Sequence, residues 1–258
     1  GLKNTTYPFL YNDYKTLENL VSEKNIGTIK MEVFRNQEPQ DNFLEKVREL
    51  ATKNNIVLIF DECTSGFRKS FGGLHKHYKV EPDIAMFGKA LGNGYAITSV
   101  LGREEIMDCA QSTFISSTFW TERIGPTAAL KTLEIMKKES SWIKIDEIGI
   151  EIKKNWKKLS SKYNLPIKQW GLPALAGFSF ESNKNISYKT LITQEMLKVG
   201  ILASNAVYVC TEHSSAILDK YFFELDKVFS LIKECEEGRD IKSLLESEEC
   251  SQGFRRLN

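Results

Sequence analysis

Ile56-Val57-Leu58-Ile59-Phe60-Asp61-Glu62 decides the fold. Five apolar residues, β-branched or aromatic for the most part, run without alternation into two carboxylates. A strand of that composition is buried on both faces, as in a parallel sheet with helices on either side. Upstream, Thr28-Ile29-Lys30-Met31-Glu32-Val33 reads as another strand, and Asp41 is placed to cap a helix whose apolar face is Leu44, Val47 and Leu50 or Ala51. Strand, helix, strand is the crossover unit of an α/β fold. The two acids therefore fall at the carboxyl end of a central strand, where open α/β sheets gather their ligands.

Downstream, Asp83 to Phe87 and Ile97 to Gly102 are strand candidates, separated by Gly88-Lys89-Ala90-Leu91-Gly92-Asn93-Gly94, and a helix runs from about Ile124 to Lys138. The character changes at Glu139-Ser140-Ser141. Beyond it, Ile145, Ile148, Ile152, Trp156 and Leu159 mark a long amphipathic helix. The boundary is accordingly set there, giving domains 1–139 and 140–258. In the second, Ala176 to Phe180 and Val207 to Cys210 read as strands. Ile217, Tyr221, Leu225, Val228 and Ile232 lie at helical spacing as core contacts. Residues from about Glu236 onward are charged and are expected to fray.

Composition narrows the function classes. Hydrophobic residues make up 41% and charged residues 27%, as in folded globular domains. A net charge of +1 provides no footprint for nucleic acid. The apolar runs are far short of the ~18 residues that span a bilayer. Gly1-Leu2-Lys3-Asn4 has neither an initiator Met nor a signal-peptide core, and reads as an internal start. Five cysteines, an odd number without a Cys-x-x-Cys pair, argue against a disulfide framework or a zinc ribbon and suit the cytoplasm. His75 and His77 find no third ligand at zinc-like spacing and are expected at the surface, so no metal is expected. His213 reads as a cap or packing residue.

Asp61 and Lys89 together suit one chemistry. A lysine amine can condense with the aldehyde of pyridoxal 5′-phosphate (PLP), release it to an incoming amine and then move a proton. An acid facing the ring nitrogen keeps the ring protonated as an electron sink. The rival reading, a P-loop ATPase, fails because a glycine is missing at position 83 and a Ser or Thr at position 90, where Asp83 and Ala90 stand.

The residues amount to a family resemblance. Asp61-Glu62-Cys63-Thr64-Ser65-Gly66-Phe67-Arg68 resembles the Asp-Glu-Val-x-Thr-Gly-Phe-Arg signature of class III aminotransferases. Pro82-Asp83 through Gly88-Lys89-Ala90-Leu91-Gly92-Asn93-Gly94 resembles the segment around that family's Schiff-base lysine. The likeness is strongest to glutamate-1-semialdehyde aminomutase and related aminotransferases, and runs from the first residues to about Lys227. It implies a type I PLP-dependent transferase fold: an incomplete large domain with a mostly parallel sheet, and a small C-terminal α/β domain. By the same resemblance Lys89 bears the cofactor, Asp61 pairs with the pyridine nitrogen and Cys63 packs on the ring where a valine is usual. Ser117-Thr118-Phe119 matches the segment whose threonine, Thr118 here, reaches the phosphate held by the neighbouring subunit, so a homodimer is implied. A hydroxyl ahead of a helix near Ile124 suits an anion in any case. Glu32 matches the acid of a Glu-Pro pair, with Val33 replacing the proline. Trp120-Thr121-Glu122-Arg123 departs from the family's Ser-Gly-Asn-Pro.

The implied activity is transfer of an amino group between an amino donor and a carbonyl acceptor, both small molecules. Intramolecular amino transfer on glutamate-1-semialdehyde is the alternative. A non-catalytic fragment acting as an assembly partner is the alternative from another class. The family's phosphate-holding cup and ring-stacking aromatic precede the region matched by Gly1, so a chain without them is expected to retain PLP weakly.

Overall fold

The computed structural model describes residues 3–34, 36–116 and 118–251. The chain divides into two compact units, Gly1–Ile143 and Lys144–Asn258.

In the first unit, helix α1 (Tyr14–Glu23) starts at Asp13, whose side chain accepts the Thr16 amide hydrogen. Strand β1 (Thr28–Glu32), helix α2 (Phe43–Lys53) and strand β2 (Val57–Asp61) form the crossover unit, with β1 and β2 parallel and Glu32 level with Asp61. Phe43, Leu44, Val47, Leu50 and Ala51 are all buried on α2. The α2 cap is Asn42, which makes no side-chain cap bond, so Asp41 does not cap this helix; both residues have left-handed backbones. After a loop and the single turn α3 (His75–Tyr78) comes β3 (Ile84–Phe87), parallel to β2, then β4 (Ser99–Gly102), antiparallel to β3. The sheet order is β1-β2-β3-β4. A turn, α4 (Glu104–Met107), and a long helix, α5 (Ile124–Glu139), complete the unit. Ala129 of α5 joins Phe67, Ala85, Phe87 and Leu91 in one apolar cluster.

Strand alternation sorts the sheet's side chains. Ile29, Met31, Leu58, Phe60, Ala85 and Phe87 are buried on one face. Lys30 and Glu32, and next to them Ile59 and Asp61, occupy the other, which is less covered.

Asp83 ties four segments together. It is buried; its carboxylate accepts the Leu58 amide hydrogen at 2.8 Å and pairs with Arg48 of α2 at 2.9 Å and with Arg103 at 3.2 Å. Burial pushes its carboxyl up, but these hydrogen bonds outweigh burial and hold it below the usual value.

The second unit opens within α6 (Ser141–Tyr163) and continues with β5 (Ile167–Trp170), β6 (Leu175–Phe180), α7 (Asn185–Lys198), β7 (Ala206–Tyr208) and α8 (Ser215–Glu236). Its sheet, β5-β6-β7, is antiparallel throughout. Trp156, Phe178, Phe180, Tyr188 and Phe229 lie at the centre of its core. On α8, Tyr221, Leu225, Val228 and Ile232 are buried, whereas Ile217 is half exposed and Leu218 faces inward instead. Contrary to the expected fraying, residues 237–251 pack on this core; residues 252–258 lie outside the described residues. Ile241 is buried, Leu244 and Leu245 pack on the core, and the Cys250 amide donates to Thr190 Oγ1. Sparse apolar residues suffice because the backbone there bonds to α7: Gln194 donates to the Leu244 carbonyl and accepts from the Glu246 amide.

Among the described residues no helix is long and apolar enough to cross a membrane, and no cluster of His, Cys, Asp and Glu is arranged to hold a metal.

Asp83→Ala is expected to destabilise the first unit by about 2–4 kcal/mol, since it strands a buried amide and the Arg48 charge. Because the folded carboxyl lies below its unfolded value, its contribution is fully present above about pH 4 and fades as pH falls through the folded value. Urea unfolding of both proteins at neutral pH and below pH 4 checks this: the gap should narrow in acid.

Candidate active site

Asp61 and Glu62 end β2 and diverge because successive side chains point to opposite faces. Glu62 turns inward and is completely buried. A buried carboxylate is costly unless its oxygens are satisfied, and here they are. Ser65 Oγ donates to Oε2, while the His75 backbone amide donates to Oε1 and His75 Nδ1 meets the same oxygen, both at 2.9 Å. His75 is thus a buried structural partner and not a surface residue; only His77 is exposed. The Glu62–His75 contact closes the loop between β2 and α3. Gly66 lies inside that loop, where a Cβ would come within 2.7 Å of the Glu62 carbonyl and 2.9 Å of the Phe87 ring.

Asp61 faces the opposite way. Its Oδ2 pairs with Lys30 Nζ at 2.9 Å and its Oδ1 accepts the Cys63 amide hydrogen at 3.2 Å. Burial raises its carboxyl; the bonds from Lys30 and Cys63 more than offset that and hold it below the usual carboxylate value. Cys63 is half-buried, and burial first, then its hydrogen bond to Asp61, pushes its thiol up. It is therefore a neutral packing group and not a thiolate nucleophile.

Lys89 follows Gly88 at the end of β3 and opens a short 3-10 turn, Lys89–Leu91. Its backbone is left-handed, with φ 45°, a conformation rare for a lysine and of the kind found at functional sites. Its Nζ donates to Thr64 Oγ1 at 2.6 Å, and the Thr64 side chain comes from the loop that Glu62 anchors. Asp61 accepts the Cys63 amide hydrogen, and a Cβ at Gly88, next to Lys89, would lie 3.5 Å from Cys63 Sγ. Asp61, Cys63, Thr64 and Lys89 thus form one contiguous patch.

Lys89 also lines a cavity of about 780 Å³ with Tyr95, Thr98, Trp120 and Glu122. Glu32 and Lys30 line a separate hollow of about 480 Å³. Thr118 is exposed in the turn that carries Phe119 and Trp120 to the Lys89 cavity; Ser117 lies outside the described residues. The first amides of α5 are occupied by the chain itself, since the Glu122 carboxylate accepts from Ile124 and, at 3.0 Å, from Gly125. An anion approaching that helix would meet Glu122 first.

Sequence reasoning missed Lys30, Thr64 and the Glu62–His75 contact. Lys30 had a usable signal: two residues before Glu32 it lies on the same strand face. The other two contacts depend on how the loop folds back, and no spacing encodes that.

The chain resembles known proteins along most of its length. The family profile described as aminotransferase class-III matches residues 36–229. A 3-aminobutyryl-CoA aminotransferase of Cloacimonas acidaminovorans is 32% identical over 81% of this chain and 54% of its own length. A glutamate-1-semialdehyde 2,1-aminomutase of Lachnoclostridium phytofermentans is 33% identical over 59% of this chain and 37% of its own. The chain thus spans about half the length, or less, of these curated relatives. Among solved structures, the FumI protein of Sphingopyxis sp., in its PLP internal aldimine form, superposes with a TM-score of 0.83 at 21% identity, covering 93% of this chain and 60% of that one. Ornithine aminotransferase of Toxoplasma gondii gives 0.77 at 20% identity, over 91% and 59%. The fold is that of the type I PLP-dependent transferases, and the chain belongs to the class III aminotransferase family.

Proposed function

We propose that this chain carries the lysine-bearing part of a PLP-dependent enzyme that moves an amino group from an amino donor to a carbonyl acceptor. The observation supporting it most is that Asp61 and Lys89 lie at the ends of adjacent parallel strands and meet the two ends of one short segment, Asp61 accepting the Cys63 amide hydrogen and Lys89 Nζ donating to Thr64 Oγ1.

The residues present fit the cofactor. Asp61, held below the usual carboxylate value, can accept a pyridinium N–H; Lys89 lines a cavity with its amine bonded to Thr64; Cys63 is a half-buried group suited to packing on a ring. PLP, when bound, supplies an aldehyde for the amine and an electron sink. Thr64 accepts a hydrogen bond from the Lys89 amine and orients it; with the cofactor bound, that amine would take the proton from the substrate's α carbon and deliver it to the carbon on the far side of the substrate's nitrogen. Asp61 holds the ring nitrogen's proton, and the Trp120 ring at the cavity wall helps to exclude water. Glu32, level with Asp61 on β1, shares its sheet face and is assigned to the cofactor's surroundings on that ground.

Thr118, exposed and one residue from the cavity wall, is assigned to the phosphate of a second copy's site, which makes the working form a homodimer. All five cysteines are free, which suits the cytoplasm. The matches to both an aminotransferase and an aminomutase keep transfer within one molecule as the second reading.

Incubation with PLP, borohydride reduction and peptide mapping test the assignment. The cofactor mass is expected on Lys89 and absent from that peptide in Lys89→Ala. Capture spread evenly over surface lysines would refute it. Thr64→Val is expected to slow capture about tenfold, the cost of one hydrogen bond to a charged group, with Thr64→Ser close to wild type. Equal rates for all three would remove Thr64 from the site.

A further inference from the structure

Asp61, the acid assigned to the ring nitrogen, already has a cation. Lys30 Nζ lies 2.9 Å from Oδ2, and the remaining oxygen accepts the Cys63 amide hydrogen. The pairing follows from the sheet. Glu32 of β1 is level with Asp61 of β2, and Lys30, two residues back, projects from the same face and reaches forward to the strand end. Lys30 is half exposed, so the pair adds little to stability. It lies, however, where a second cation matters.

We infer that Lys30 is an affinity- and protonation-setting residue: it competes with the cofactor's ring nitrogen for Asp61 and, by its charge, opposes protonation of that nitrogen. The inference rests on the reading that Asp61 and Lys89 bind PLP. In that arrangement the pyridinium N–H must share one carboxylate with an ammonium. Two like charges a few ångströms apart at a half-exposed site repel enough to change an equilibrium about tenfold. The amide of Cys63 offers no escape, because it holds the other oxygen in place. Lys30 thereby makes Asp61 a weaker ring-nitrogen partner than an unpaired aspartate would be, and shifts the bound ring toward its neutral, less electron-withdrawing form.

Two substitutions separate charge from shape. Lys30→Met keeps the length and removes the charge, whereas Lys30→Arg keeps the charge. Equilibrium dialysis against PLP is expected to give a Kd about tenfold lower for Lys30→Met and near wild type for Lys30→Arg. The ¹⁵N shift of ring-labelled PLP should move toward the protonated value in Lys30→Met only. In the cofactor-free protein, the Asp61 carboxyl, followed by ¹³C NMR, should titrate at higher pH once Lys30 is gone, whatever happens with PLP. In an Asp61→Asn background, the effect of Lys30→Met on Kd should vanish. A Kd unchanged or raised in Lys30→Met overturns the inference; a raised one means that Lys30 holds the cofactor itself. If Lys89 captures PLP but Lys30→Met behaves as wild type, the inference fails and the functional reading stands. If the wild-type chain binds no PLP at Lys89 at all, both fall together.

Discussion

The site depends on a buried carboxylate. At the end of β2 the pleat sends Glu62 inward and Asp61 outward, and the inward acid is tolerable only because Ser65 and His75 satisfy it. Removing either partner would leave one oxygen of a buried carboxyl unsatisfied. The loop between them is therefore fixed, and with it Thr64, whose hydroxyl meets the Lys89 amine. One residue of the adjacent pair shapes the loop, and the other faces the opposite side of the sheet, paired with Lys30 and the Cys63 amide. The two neighbours are not interchangeable despite their like charge.

Around this anchor the site is lined by charges of the chain's own. Lys30 is on Asp61, and Glu122 is on the first amides of α5. Each is placed where a charged part of a ligand would be welcomed by the bare element, a ring nitrogen at a carboxylate or an anion at a helix N-terminus. A ligand bound as proposed would exchange partners with these charges, which would lower its affinity without removing the binding groups. Asp83, by contrast, is wholly structural: its oxygens are occupied by Leu58, Arg48 and Arg103 deep in the unit.

Much of this was legible in the residues, because the decisive features are local. The apolar run Ile56 to Phe60, the glycines around Lys89 and the 3.6-residue spacing in α2 and α6 each act within one element, and the structure places those elements as their patterns require. What escaped depends on distant contacts. His75 has the polarity of a surface residue, and only the approach of Glu62 makes its burial favourable. Ile217 continues a helical stripe, yet the buried stripe on α8 begins one residue later, at Leu218. The charged stretch 244–250 is held by backbone bonds to Gln194 and Thr190 that composition does not reveal. Lys30 lies between: its strand face was readable, and its partner required the register of two strands.

The central claim is spatial, that a single aromatic ring fits between the amine of Lys89 and the carboxylate of Asp61. A crystal structure of the protein after incubation with PLP and borohydride reduction tests it directly. The account predicts continuous density from Lys89 Nζ to the ring, with the ring nitrogen within hydrogen-bond distance of Asp61 and one ring face against Cys63. A ring attached to Lys89 but turned away from Asp61, or density on some other lysine, would contradict it.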